Sequence, residues 1–244
     1  MLVRIVRQLA LVGSASGLLA CGAPQQSSFL QGAVSFEQLQ TAVHSIFAVD
    51  YLPFTDIADG CYARSLYMAM ELAILGIPVS SQFVIATSGS LSPQPNFKWN
   101  YHVAPAVWVK DFSEPSILDP SMFDHVSGRS AWINKLNPTG TYELKFAPAS
   151  ETVVSSSTLR AGPQARSEML STVDGIGEFR ESDITNSCRT METSIRSESS
   201  LTAAEQDLKK SRLTKRTKFL LTELKKLGLG PQSSFISDDP DTCY

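Results

Sequence analysis

The chain has 244 residues, a formal net charge of −3, and a composition that is 43% apolar and 18% charged. These values exclude a disordered chain and a multi-span membrane protein, and they give no global electrostatic pull toward nucleic acid. The length suits one domain with a sizeable core and a smaller appendage.

The opening stretch, MLVRIVRQLALVGSASGLLACGA, has a basic start at Arg4 and Arg7, an apolar run, and small residues ahead of Cys21. That is the pattern of a secretory signal peptide. Its end, LLACG, resembles a bacterial lipobox, in which the cysteine is lipidated and becomes the first mature residue. Residues 1–20 are therefore expected to be a lipoprotein signal peptide, with Cys21 carrying a lipid that anchors the chain to a membrane of the bacterial cell envelope. The alternatives are an ordinary signal peptide cleaved near Ala20, giving a secreted protein, and an uncleaved anchor. Residues 21–34 are small and polar and read as a tether.

Ser35 can cap a helix running to Phe47, in which Phe36, Leu39, Val43 and Phe47 share one face. Pro53 and Gly60 break the chain, and a second helix follows from Cys61 to Leu75, stopped by Gly76 and Pro78. SQFVIATS and WNYHVAPAVWVK read as strands, the second interrupted only by Pro105. SILDPSMF begins as a short strand and breaks at Pro120, and Tyr142 to Phe146 offers another. A helix first and antiparallel strands after it make an α+β order. Residues 35–150 are expected to form this domain. Residues 151–200 are Ser-rich and weakly patterned and read as a linker. Residues 201–244 read as a helical extension, opened by the TAAE capping box at Thr202 and Glu205 and striped with Leu213, Leu220, Leu224 and Leu227.

The cysteines then sort. Cys21 is assigned to the lipid. Cys188 and Cys243, in an oxidising compartment, can pair or remain two free thiols. Cys61 is left unpaired at a helix start, which invites a chemical explanation. A thiolate in that position is stabilised by unpaired backbone amides and the helix dipole, and it needs a proton carrier. His102 sits mid-strand among aromatic residues, where a polar ring is costly without a partner. Asp119 ends the next short strand and can meet His102 across the sheet, fixing its tautomer. Each residue alone also fits a plain role: a small buried cysteine, a hydrogen-bonded core histidine, a turn-forming aspartate. A helix-borne cysteine, then a strand-borne histidine, then an aspartate is the order of papain-like and transglutaminase-like folds. The cysteines lack zinc-type spacing, so no zinc site is expected.

The segments DGCYARS, WNYHVAPAVWV and ILDPSMF resemble three signature segments of the bacterial protein-glutamine glutaminase family. The likeness runs from about Leu52 to Trp132. It implies a papain/transglutaminase-like core with Cys61 as nucleophile, His102 as general base and Asp119 as the residue that orients it. Asp59, Tyr62 and Arg64 match the first segment, Trp99 and Tyr101 the second, and Pro120 the third. Trp99, Tyr101 and Tyr62 are candidates for contacting substrate. The implied reaction is deamidation of glutamine side chains in proteins or peptides through a Cys61 thioester, with release of ammonia and with no metal or cofactor required. A transglutaminase-type acyltransferase or a papain-like peptidase would use the same three residues, and a surface lipoprotein binding a partner through its basic last helix would use none. Family members carry an inhibitory N-terminal pro-region, whereas only the short tether precedes the first helix here. Either this protein lacks such control, or the C-terminal third covering the site or lipid anchoring provides it.

Overall fold

The computed structural model describes residues 33–55, 60–152, 175–231 and 243. The signal segment, Cys21, nearly all of the tether, and Asp59 lie outside the described residues. The architecture is α+β: among the described residues, five helices pack with a five-stranded antiparallel sheet of order β4-β3-β2-β1-β5.

Helix α1, Phe36–Phe47, begins at a reciprocal capping box in which Ser35 and Gln38 satisfy each other's backbone amides. Its buried stripe is Leu39, Ala42, Val43 and Ile46. Phe36, expected on that stripe, lies one turn-face away, exposed, and packs on Phe112 with ring centroids 5.5 Å apart. Helix α2, Cys61–Ile74, is buried along almost its whole length. It starts at Gly60, whose φ of +79° favours glycine, and no side chain caps it. At its far end Gly76 takes φ +70° and Ile77 N–H returns to Leu72 C=O at 3.0 Å, a Schellman-like stop.

Strand β1, Ser80–Ala86, is central and pairs with β2, Tyr101–Val107, and with β5, Tyr142–Pro148. Period-2 alternation divides the sheet's side chains. Phe83, Ile85 and Val103 pack with Cys61, Tyr62 and Tyr101. Val84, Ala86, Ala104 and Ala106 pack with Trp132, Ile133 and Leu136 of α3, Arg129–Leu136, a helix the sequence reading omitted. Glu114 supplies the missing cap for α3 by accepting from the N–H and hydroxyl of Ser130.

Strand β3 spans only Ser116–Ile117, and β4 only Ser127–Gly128. Proline explains the brevity of β3. The β2–β3 register places Ala106 opposite Ile117, so Pro105 comes opposite Leu118. Leu118 N–H reaches Pro105 C=O at 3.0 Å, but proline has no N–H to return. The ladder ends there, and the chain turns at Asp119, whose C=O accepts from Met122 and Phe123 N–H.

The expected linker over 151–200 needs correction. It contains helix α4, Glu181–Ser197, whose Ile184, Cys188, Met191 and Ile195 recur at four, three and four residues and are fully buried. The apolar positions are sparse in a Ser- and Thr-rich stretch, which hid the period. Helix α5, Ala203–Lys226, begins at the expected Thr202–Glu205 box, though Leu227 is exposed rather than part of the buried stripe. Nor are α4 and α5 an appendage. Their apolar residues belong to one core with α1 and α2. Buried Glu71 of α2 is gripped by the Arg216 guanidinium of α5 and by the Tyr51 hydroxyl, and Tyr67 of α2 bonds Thr217 at 2.5 Å. Burial first, and then the Glu71 carboxylate, push the Tyr51 phenol well above its ordinary range.

Cys188 and Cys243 form a disulfide, with Cα atoms 5.8 Å apart, that closes a 55-residue separation and ties the tail to α4. Cross-links of this span stabilise by about 2–4 kcal/mol, chiefly through the unfolded chain. Cys243→Ser should therefore lower the unfolding free energy from a denaturant titration by an amount of that order and move the midpoint down accordingly, and reductant should do the same to the parent protein. Equal midpoints for oxidised, reduced and Cys243→Ser forms would contradict this.

Candidate active site

The site is assembled from the head of α2, the start of β2 and the turn after β3. His102 lies on the face of β2 that holds Ala104 and Ala106, and it is 1% exposed. Its Nε2 lies 2.7 Å from Asp119 Oδ2, and Asp119 is itself buried. With Nε2 engaged by the carboxylate, Nδ1 is the ring nitrogen left for the thiol. Cys61 is half-buried and not part of any disulfide. It packs against the Phe83, Ile85, Val103 and Ala147 cluster, and its thiol interacts with the imidazole. No bond of ordinary hydrogen-bond geometry yet joins Nδ1 to a partner, as is common when substrate is absent.

Neighbouring residues hold this pair rigidly. Trp132 donates its indole N–H to Asp119 Oδ2 at 2.8 Å, and Ser121 donates its hydroxyl to Oδ1 at 2.5 Å. The carboxylate thus has a donor at each oxygen besides the histidine. The Trp99 ring stacks on the imidazole, with centroids 4.8 Å apart and planes 13° from parallel, while the Trp132 ring tilts against it at 5.7 Å. Trp99 is fixed in turn by a pair of 2.9 Å backbone bonds with Leu91.

Burial alone would strip His102 of its proton, but the Asp119 charge and hydrogen bond, with the Cys61 thiol, outweigh it and raise the imidazole to about 9 from 6.5. Burial works against the Asp119 carboxylate too, yet His102, Ser121 and Trp132 together hold it below its ordinary range.

The structure brings Cys61, His102 and Asp119 together as the sequence order suggested. Trp99 lies against His102, and half-buried Tyr101 packs on Phe83 at 6.3 Å. The Tyr62 hydroxyl bonds Thr190 of α4 at 2.7 Å, so its polar end is engaged within the protein. Ser121 and the indole bond of Trp132 were missed. Ser121 follows Asp119 by two residues, the spacing of a local side-chain bond, and was the one signal within reach. His125, away from this group, pairs with Asp124 on the surface.

Residues 33–136, which include all three triad positions, match a family model described as glutaminase. The match makes this segment similar to glutaminases and covers less than half of the chain. Among solved structures, the chain is similar to the protein-glutaminase from Chryseobacterium proteolyticum, at 24% identity and TM-score 0.43 over 51% of this chain and 77% of that one. It is also similar to a crystal structure of protein-glutaminase, at 22% identity and TM-score 0.48 over 67% of this chain and 90% of that one. A third, of pro-protein-glutaminase, gives 20% identity and TM-score 0.47 over 74% and 66%. No curated protein matches the sequence.

The raised imidazole has a definite consequence for pH. A folded-state value above the ordinary 6.5 stabilises the fold fully below about pH 6.5, and that contribution is lost as pH rises through about 9. An NMR titration of His102 should give a midpoint near 9, and Asp119→Asn should bring it below 6.5, because burial then acts without the opposing charge. A parent midpoint at or below 6.5 would contradict the ion-pair description.

Proposed function

We propose that the protein is a protein-glutamine glutaminase, which converts glutamine side chains in proteins or peptides to glutamate and releases ammonia. One observation carries this reading: the Cys61, His102 and Asp119 arrangement lies inside the segment that matches the glutaminase model.

The geometry supports the following steps. His102 holds its proton in the resting enzyme, and the Cys61 sulfur reacts as the thiolate. The Cys61 sulfur attacks the glutamine carboxamide carbon, and the carbonyl oxygen gains the negative charge. The Cys61 backbone N–H, at the first position of α2, is not used by the helix's own hydrogen bonds and serves as an oxyanion donor. The tetrahedral intermediate collapses as His102 passes its proton to the amide nitrogen, and ammonia leaves. A thioester between Cys61 and the substrate remains. Neutral His102 then takes a proton from water, whose oxygen attacks the thioester carbon and releases glutamate and the thiolate. Asp119 holds the ring and stabilises its cationic form at both stages. Trp99 and Tyr101, both half-buried beside the reacting groups, form the wall along which the glutamine enters. The LLACG stretch supports export with a lipid on Cys21, which would hold the enzyme at a membrane of the cell envelope.

Ammonia release from a glutamine-containing protein tests the reading. Cys61→Ala should cut the rate by about four orders of magnitude or more, with the treated substrate gaining glutamate and no cleaved peptide bonds. Incorporation of an added primary amine in place of deamidation would move the assignment to acyl transfer, and peptide cleavage would move it to proteolysis.

A further inference from the structure

The head of α2 has no side-chain cap, yet it carries the nucleophile. What fixes it comes from a helix more than a hundred residues away. Tyr62, immediately after Cys61, bonds through its hydroxyl to Thr190 Oγ1 at 2.7 Å. Gly60, immediately before it, is flanked by the same helix. A Cβ placed on Gly60 would lie 3.0 Å from Met191 Cε and 3.4 Å from Thr190 Cγ2. The residues on either side of Cys61 are therefore held by two consecutive residues of α4.

Helix α4 is itself firmly seated. Ile184, Cys188, Met191 and Ile195 are fully buried in the core shared with α2. Cys188 is bonded to Cys243 and lies 3.7 Å from Thr217 Oγ1, the hydroxyl that bonds Tyr67 of α2. The position of α4 relative to α2 is thus set at two levels along α2, at Tyr62 and at Tyr67.

We propose that Thr190, supported by Met191, is a positioning residue for the nucleophile: through Tyr62 and Gly60 it holds the first turn of α2 so that the Cys61 sulfur faces His102. Thr190 touches neither substrate nor the reacting atoms. This proposal rests on Cys61 being the nucleophile of the proposed reaction. Misplacing a reacting group by a fraction of its reach is enough to slow chemistry strongly while leaving binding intact.

The test uses the full chain with Thr190→Val, Thr190→Ser, Tyr62→Phe and the Tyr62→Phe/Thr190→Val double variant. Two readouts are taken: ammonia release from a glutamine-containing protein, and the rate of Cys61 alkylation by iodoacetamide at neutral pH, with the site identified by peptide mass spectrometry. Thr190→Val should lower kcat by about tenfold with KM unchanged, and slow Cys61 alkylation, while its thermal unfolding stays close to the parent's. Thr190→Ser, which keeps the hydroxyl, should restore most of both. Tyr62→Phe removes the same bond from the other side, so the double variant should be no worse than either single one. Unchanged kcat and alkylation in Thr190→Val and in Tyr62→Phe would overturn the proposal, as would a loss confined to thermal stability. If the parent releases no ammonia but its alkylation follows this series, the positioning role stands and the glutaminase reading falls.

Discussion

The site depends on keeping a charged pair in the interior of the protein. His102 and Asp119 are each almost wholly removed from water, and burial opposes the charge on both. The 2.7 Å bond between them offsets that cost only because the remaining carboxylate valences are filled. Trp132 and Ser121 fill them. Two aromatic rings cover the imidazole, so the pair is shielded as well as satisfied. A helix that sequence reading overlooked, α3, is present in part to deliver the Trp132 indole to this point.

Backbone chemistry places the pair. Pro105 withholds the one N–H that would continue the β2–β3 ladder, so β3 stops after Ile117 and the chain is free to turn at Asp119 and Pro120. A residue that looks like a flaw in a strand is thus what allows the carboxylate to fold back toward His102. Gly60 plays a similar part at the other end of the site, where its left-handed conformation redirects the chain into α2 and sets Cys61 at the helix head.

Much of this was legible in the sequence. The capping boxes at Ser35 and Thr202, the glycine stops and the strand alternation mark elements close to those observed. Cys61, His102 and Asp119 stand out because each carries a polar or reactive group in an apolar setting. The C-terminal half was harder. Residues 181–197 bury only a thin stripe, so composition suggested a linker while the four-three-four spacing specified a helix. Long-range polar bonds left no local trace: neither the Tyr62–Thr190 bond nor the Glu71–Arg216 pair can be inferred from spacing, because their partners meet only after the core has formed. That core joins α4 and α5 to α2, so the described helices of the C-terminal third pack as part of the same body as Cys61.

The proposed reaction requires the Cys61 sulfur to become covalently attached to the substrate's former glutamine carbonyl. The most direct measurement is to quench the enzyme in acid during turnover of a glutamine-containing peptide and map adducts by mass spectrometry. A substrate-sized adduct on the Cys61 peptide, labile to hydroxylamine as a thioester is, is the expected result. Ammonia release with no adduct on Cys61, or with an adduct on another residue, would contradict it.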